Sequence, residues 1–167
     1  PFDLDSVIDI SGGENHSIAL KSDGTVVAWG HNNTNQLEVP LDLDDIVSIS
    51  AGRDHNLALK SDGTVVTWGY DGYNLGDVPT DLNNVVAISA GAQFSLALKS
   101  DGTVVAWGRN LNNSTDVPVD LTDVVEINAG EWFSLALKSD GTVVAWGRSN
   151  EGQLSVPEDL TNVVTVS

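Results

Sequence analysis

One eleven-residue segment, Leu20-Lys21-Ser22-Asp23-Gly24-Thr25-Val26-Val27-Ala28-Trp29-Gly30, recurs at 59–69, 98–108 and 137–147, with Thr67 in place of alanine as the sole change. Trp29, Trp68, Trp107 and Trp146 are therefore 39 residues apart, and Pro1, Pro40, Pro79, Pro118 and Pro157 keep the same step. A period of 20–50 residues without insertions denotes an array of like supersecondary units, each too small to bury its own apolar face. The step divides the chain into repeats 1–39, 40–78, 79–117 and 118–156, with 157–167 left over as a second version of 1–11.

Each repeat reads as three strands and no helix. Val7-Ile8-Asp9-Ile10-Ser11 alternates from Ile8 onward, as a strand with one buried face does. In the equivalent positions the column Asp9, Ser48, Ala87, Glu126, Thr165 drifts, whereas Ile10, Ile49, Ile88, Ile127, Val166 stays aliphatic, which assigns the second column to the core. Small pairs follow: Gly12-Gly13, Ala51-Gly52, Ala90-Gly91 and Ala129-Gly130. Small residues at the same place in every unit imply close backbone approach where strands converge on an axis. Ser17–Lys21 and Thr25–Trp29 are the second and third strands. Asp23-Gly24 between them predicts a tight hairpin, expected as type I′ with both central residues at positive φ. The tryptophans, four times in register, are expected in the core.

The segment Ala51-Gly52-x-x-His55-x-Leu57-Ala58-Leu59-Lys60-x-Asp62-Gly63-x-Val65-x-x-Trp68-Gly69, with Gly152-Gln153-Leu154 near the end of the fourth repeat, resembles the RCC1-like repeat superfamily. The short connections and Val-Pro endings are most similar to its bacterial branch, that of the β-lactamase inhibitor protein II type. The resemblance covers the whole chain. It implies an all-β fold, a β-propeller built from four mostly three-stranded blades plus one extra C-terminal strand. It also implies blades arranged around a central channel. In that branch the inhibitors act through aromatic-rich loops on one face of a seven-bladed ring; the eukaryotic member exchanges guanine nucleotide on a small GTPase and binds chromatin through loops and basic extensions that have no counterpart here.

Charge narrows the choice of partner. The formal net charge is −17, from 24 acidic against 7 basic side chains. Such a surface repels phosphate backbones and anionic lipid, so neither nucleic acid nor membrane is the expected partner. Cysteine is absent, which excludes a disulfide frame and a thiolate metal site. His16, His31 and His55 do not form an equivalent triad, and no Ser-His-acid arrangement, cysteine nucleophile or phosphate-cradling glycine loop occurs. The expectation is a protein that is not an enzyme and needs neither cofactor nor metal. A start at Pro1 and a lack of methionine suggest excision from a longer precursor, and the acidic, cysteine-free composition a secreted or cell-surface setting.

Function is sought where the four copies differ. The first variable window is Glu14-Asn15-His16, Arg53-Asp54-His55, Ala92-Gln93-Phe94 and Glu131-Trp132-Phe133; the second is His31–Thr34, Tyr70–Tyr73, Arg109–Asn112 and Arg148–Glu151. Aromatic residues and arginines carry most interface energy. Arg53, Asp54, Tyr70, Tyr73, Arg109, Glu131, Trp132, Phe133 and Arg148 are therefore the candidate binding residues, for a protein or a glycan. His16 and His55 share a column with Phe94 and Phe133 and are expected to pack between blades. The duplicated strand 157–167 raises a further expectation. Open blade faces drive association, so the chain is expected to form a homo-oligomer, a dimer closing an eight-bladed ring, or to belong to a longer array.

Overall fold

A computed structural model describes residues 4–167; the Pro1–Asp3 part of the opening connection lies outside it. Twelve strands form four antiparallel sheets of three, in simple meander order. The first sheet is β1 (Val7–Gly12), β2 (His16–Lys21) and β3 (Val26–Gly30); the second is β4 (Ile46–Ala51), β5 (His55–Lys60) and β6 (Val65–Gly69). The third is β7 (Val85–Ala90), β8 (Phe94–Lys99) and β9 (Val104–Gly108), and the fourth β10 (Val124–Ala129), β11 (Phe133–Lys138) and β12 (Val143–Gly147). Four blades, one per 39-residue step, is the architecture that the repeat predicts.

Blades pack face to face in chain order. Ile18, Leu20 and Ala28 of the first blade meet Ile46, Ile49 and Trp68 of the second in one apolar cluster, and two further clusters repeat the arrangement. Serine side chains also reach across: Ser11 Oγ accepts from Ala51 N at 2.9 Å, Ser50 Oγ from Ala90 N at 3.0 Å and Ser89 Oγ from Ala129 N at 2.9 Å. The small column sits at the closest approach. A Cβ built on Gly52 would lie 2.4 Å from the carbonyl oxygen of Gly91 in the next blade, and one on Gly13 would lie 2.5 Å from that of Gly52. Only glycine lets the inner ends of the blades converge so tightly.

The core column behaves as expected where a preceding blade covers it. Ile49 and Ile127 are 5% and 7% exposed, whereas Ile10, in the first of the described blades, is 73% exposed. Each innermost strand carries a bulge, between Val7 and Asp9 and at the equivalent places in the other three. The bulged residues Ile8, Val47, Val86 and Val125 consequently point out to solvent. Trp68, Trp107 and Trp146 are buried, and Trp29 is half-buried.

Three features differ from the sequence reading. The hairpins form at all four Asp-Gly sites, but not as type I′ turns: Gly24, Gly63, Gly102 and Gly141 take φ of 80–84°, and the aspartates before them do not take positive φ. Gly24 N donates to Lys21 O at 2.9 Å and Ser22 N to Ser6 O at 2.8 Å, so the serine joins the loop, giving a three-residue turn with glycine in the left-handed position. The expectation of no helix is corrected by two single turns of 3₁₀ helix, Gly72–Asn74 and Leu111–Asn113. Finally, Val163–Ser167 follows the course of the next blade's first strand without entering a sheet. Thr165 Oγ1 and Val166 N donate to the Glu126 carboxylate at 2.9 and 3.3 Å, much as Ile49 N donates to Asp9 at 3.4 Å.

Candidate functional site

Both variable windows lie at one end of the blades. The first connects the innermost strand to the second, and the second follows the third strand; antiparallel pairing brings them side by side. His31 N, Tyr70 N, Arg109 N and Arg148 N donate to the carbonyls of Asn15, Asp54, Gln93 and Trp132 at 2.7–2.9 Å. The opposite end carries the Lys-Ser-Asp-Gly hairpins, nearly identical in every blade. The two most variable windows thus gather at one end of a repeated scaffold.

On that face the structure sorts the nine candidate residues into groups. Arg53 and Glu131 border an open depression of about 370 Å³ at the axis, floored by the Gly/Ala pairs of all four blades. Glu14 also lines it, and its carboxylate binds Arg53 Nε at 2.8 Å, with Asp54 at 3.5 Å from the same nitrogen. Arg53 and Glu14 are about half exposed, so this pair contributes little to stability.

Further out, Tyr70, Tyr73, Arg109 and Trp132 form a continuous ridge across the second, third and fourth blades. Tyr70 and Tyr73 meet edge to face with centroids 5.9 Å apart. The Arg109 guanidinium stands 4.5 Å from the Tyr73 ring centroid and 5.9 Å from that of Trp132. Its Nη1 donates to Gln93 Oε1 at 2.6 Å, which fixes the plane of the fork between the rings. Tyr73 is held at φ 60°, a backbone conformation unusual for an aromatic residue, and is 46% exposed. The neighbouring Asn74 continues a left-handed column with Asn35, Asn113 and Gly152, residue types that suit it.

The remaining candidates stand apart. Phe133 packs against Gly130, where an added Cβ would lie 2.2 Å from its ring, and is half-buried. Arg148 faces Glu151 at 4.0 Å on the outer rim of the fourth blade. Sequence reasoning passed over Gln93 and Glu14, although each lies in the first window. Glu14 was legible as the opposite charge to Arg53 in the same column of adjacent blades.

His16 and His55 are buried between blades, as expected. His16 Nε2 bonds Asn56 Oδ1 at 2.8 Å and His55 Nε2 bonds Ser95 Oγ at 3.1 Å, while Nδ1 of both rings has no partner among the described residues. Desolvation, with a smaller contribution from His16, pushes the His55 pKa down to about 4. Among the described residues no three His, Asp or Glu side chains gather in a group that could hold a metal.

The family model described as "Regulator of chromosome condensation (RCC1) repeat" matches residues 7–36, 46–74, 85–114 and 124–153, well over half of the chain. Among solved structures, yeast RCC1 (Prp20) bound to Kap60 superposes with a TM-score of 0.81 at 21% identity, over 98% of this chain and 48% of that one. Prp20p of Saccharomyces cerevisiae, described with its binding properties to Gsp1p and histones, gives a TM-score of 0.78 at 23% identity over 98% and 50%. The CRINKLY WD40 ectodomain of the Arabidopsis thaliana receptor kinase ACR4 gives 0.74 at 26% over 94% and 55%. The chain thus spans about half the length of the solved structures it matches. No curated protein sequence matches it.

Proposed function

The chain belongs to the RCC1 repeat family, and from that premise we propose that it is a non-enzymatic propeller module that binds a protein through its variable loop end. The observation that carries this reading is the ridge of Tyr70, Tyr73, Arg109 and Trp132. Four residues of the types that dominate interfaces are set side by side on the end that carries both variable windows. Rings locked by one guanidinium lose little side-chain freedom on binding, so contact area is gained at small entropic cost. That yeast RCC1 is described with protein partners supports a protein over a glycan. The test compares the chain with its Tyr73→Ala/Trp132→Ala variant against panels of defined proteins and glycans. A protein ligand held by the chain and lost by the variant supports the reading; a ligand held equally by both removes it.

Two finer readings accompany it. An inhibitor of a β-lactamase is favoured by the aromatic residues being gathered on one face, and is tested by titrating the chain into an enzyme assay. Self-association, as a dimer closing an eight-bladed ring, is favoured by the first blade, where Ile10 and Trp29 have less cover among the described residues than their equivalents Ile49 and Trp68.

A further inference from the structure

The hairpin end of the blades carries a surface of its own. The bulge in each innermost strand turns one aliphatic side chain outward just after the strand begins. Val47, Val86 and Val125 are 53%, 54% and 54% exposed. β4 and β7 each pack against a blade on either side, so this exposure belongs to the bulge and not to a blade's place in the array. The turns that lead into β4 and β10 add Leu41 and Val119, both fully exposed. Apolar side chains scattered singly over a surface need no explanation, but a row at one fixed place in successive blades is a contact surface of defined shape.

Along this end the valines alternate with charged hairpins. Ser61 N donates to Asp45 O at 2.8 Å, Ser100 N to Asn84 O at 2.9 Å and Ser139 N to Asp123 O at 2.9 Å, which fixes each connection against the hairpin of its own blade. Each hairpin also lies against the start of the next inner strand: Val124 N donates to Gly102 O at 3.3 Å, and a Cβ on Gly63 would lie 3.1 Å from Val85 N. The charge there is one-sided. Connections 41–45, 80–84 and 119–123 hold six aspartates and no basic residue, and hairpins 21–24, 60–63, 99–102 and 138–141 hold four aspartates and four lysines. Lys60 pairs with Asp44, Lys99 with Asp101 at 3.6 Å and Lys138 with Asp140 at 3.8 Å, while all three arginines belong to the opposite end. The lysines thus balance fewer than half of these carboxylates. A purely apolar ligand would desolvate carboxylates without supplying counter-charge, and a polycation lacking apolar side chains would leave the valines in water.

We propose that the hairpin end is a second docking surface, for a segment of a partner protein in which aliphatic side chains alternate with lysine or arginine. Val47, Val86 and Val125 cover the aliphatic side chains, and the surrounding aspartates, Asp45 and Asp123 two residues before their valines among them, receive the cations. The surface shares no residue with the loop-end ridge, so the chain holds a different partner at each end and neither reading depends on the other.

The experiment is a fluorescence-anisotropy titration of the full chain into a labelled peptide of alternating lysine and leucine. Lysine–serine and glutamate–leucine peptides of the same length serve as comparisons, each at low salt and at about 0.5 M salt. The lysine–leucine peptide is expected to bind at least about tenfold more tightly than either comparison. Val47→Ser/Val86→Ser is expected to weaken it about tenfold at both salt concentrations. Asp45→Asn/Asp123→Asn places in two blades the residue that the third has at Asn84, with the same positive φ, so the backbone is kept. That variant is expected to weaken binding about tenfold at low salt and much less at high salt. Tyr73→Ala/Trp132→Ala is expected to bind the peptide as the full chain does. Equal binding of the lysine–serine peptide reduces the surface to diffuse charge attraction and overturns the proposal. Equal binding of the glutamate–leucine peptide, or binding of none, overturns it too. So does loss of the peptide in the ridge variant, or its retention in both hairpin-end variants, since either places the peptide elsewhere.

Discussion

Trp107 of the third blade donates its indole N–H to the carbonyl oxygen of Leu75, 32 residues earlier in the loop that leaves the second blade, at 3.2 Å. The ring fills the space between blades, and its nitrogen satisfies a buried loop carbonyl. The two roles separate by substitution. Trp107→Phe keeps most of the apolar burial and leaves the carbonyl without its donor, costing about 1–2 kcal/mol. Trp107→Ala also opens a cavity and is expected to cost about 3–5 kcal/mol. Trp29→Phe, whose indole has no acceptor among the described residues, is expected to change the stability of this chain by less than about 1 kcal/mol. Urea denaturation monitored by far-ultraviolet circular dichroism gives all three.

A second expectation concerns the axis. Gly52→Ala drives a Cβ into the Gly91 carbonyl and the His55 ring, neither of which can withdraw without moving a blade. A loss of about 2–3 kcal/mol is expected. Gly12→Ala, one position from the same column in the first blade, meets nothing within 4 Å and is expected to be tolerated. Equal losses at the two sites would remove the close-approach account of the small column.

Stability is expected to fall with acid in two stages. The folded-state pKa of His55 is about 4, below its ordinary 6.5, because burial disfavours the charged ring. Between pH 6.5 and 4 the unfolded chain therefore binds a proton that the folded chain refuses, and stability decreases as pH falls through that window, by roughly 3 kcal/mol in all. Below pH 4 the carboxylates of Asp23, Asp62, Asp101 and Asp140 add to the decline. Each is held below the carboxylate range by hydrogen bonds from the threonine two residues on, and that stabilisation disappears on protonation. His55→Phe places in the second blade the residue that the third already uses at Phe94, and is expected to flatten the first stage and spare the second. Midpoints of thermal unfolding at pH 7, 5.5 and 4.5 decide it.

The ridge is expected to depend on the shape of Arg109 as well as on its charge. A lysine there supplies a cation but not the planar fork that bonds Gln93 while facing Tyr73 and Trp132. Both Arg109→Lys and Arg109→Ala are expected to weaken loop-end binding about tenfold or more while altering stability by no more than about 1 kcal/mol. If lysine restores full binding, the fork has no role. Isothermal titration against the bound protein measures it.

Much of this was legible in the sequence because a constant step makes each column comparable across blades. The isoleucine column revealed the buried face, and the glycine column revealed the axis. The hairpin turn was misjudged for a local reason: Asp-Gly suits a two-residue loop, but Ser22 is drawn out of the ladder by the carbonyl of Ser6, a bond that joins the hairpin to the segment before β1. The site was half legible. Its residue types stood out, yet Tyr73, Arg109 and Trp132 come from different windows of different blades, and their meeting depends on how far each loop reaches across. The unusual φ of Tyr73 has no counterpart in spacing or composition.

Among the described residues, the hydrogen bonds between blades span at most 40 positions. Among those residues no such bond ties the first blade to the fourth, so opening can propagate from blade to blade one unit at a time. Amide hydrogens in the ladder of β5 and β8, flanked on both sides, should exchange with deuterium most slowly, and those of β2 faster. The molecule would then register local opening under native conditions as a gradient along the arc, well below the midpoint of its unfolding.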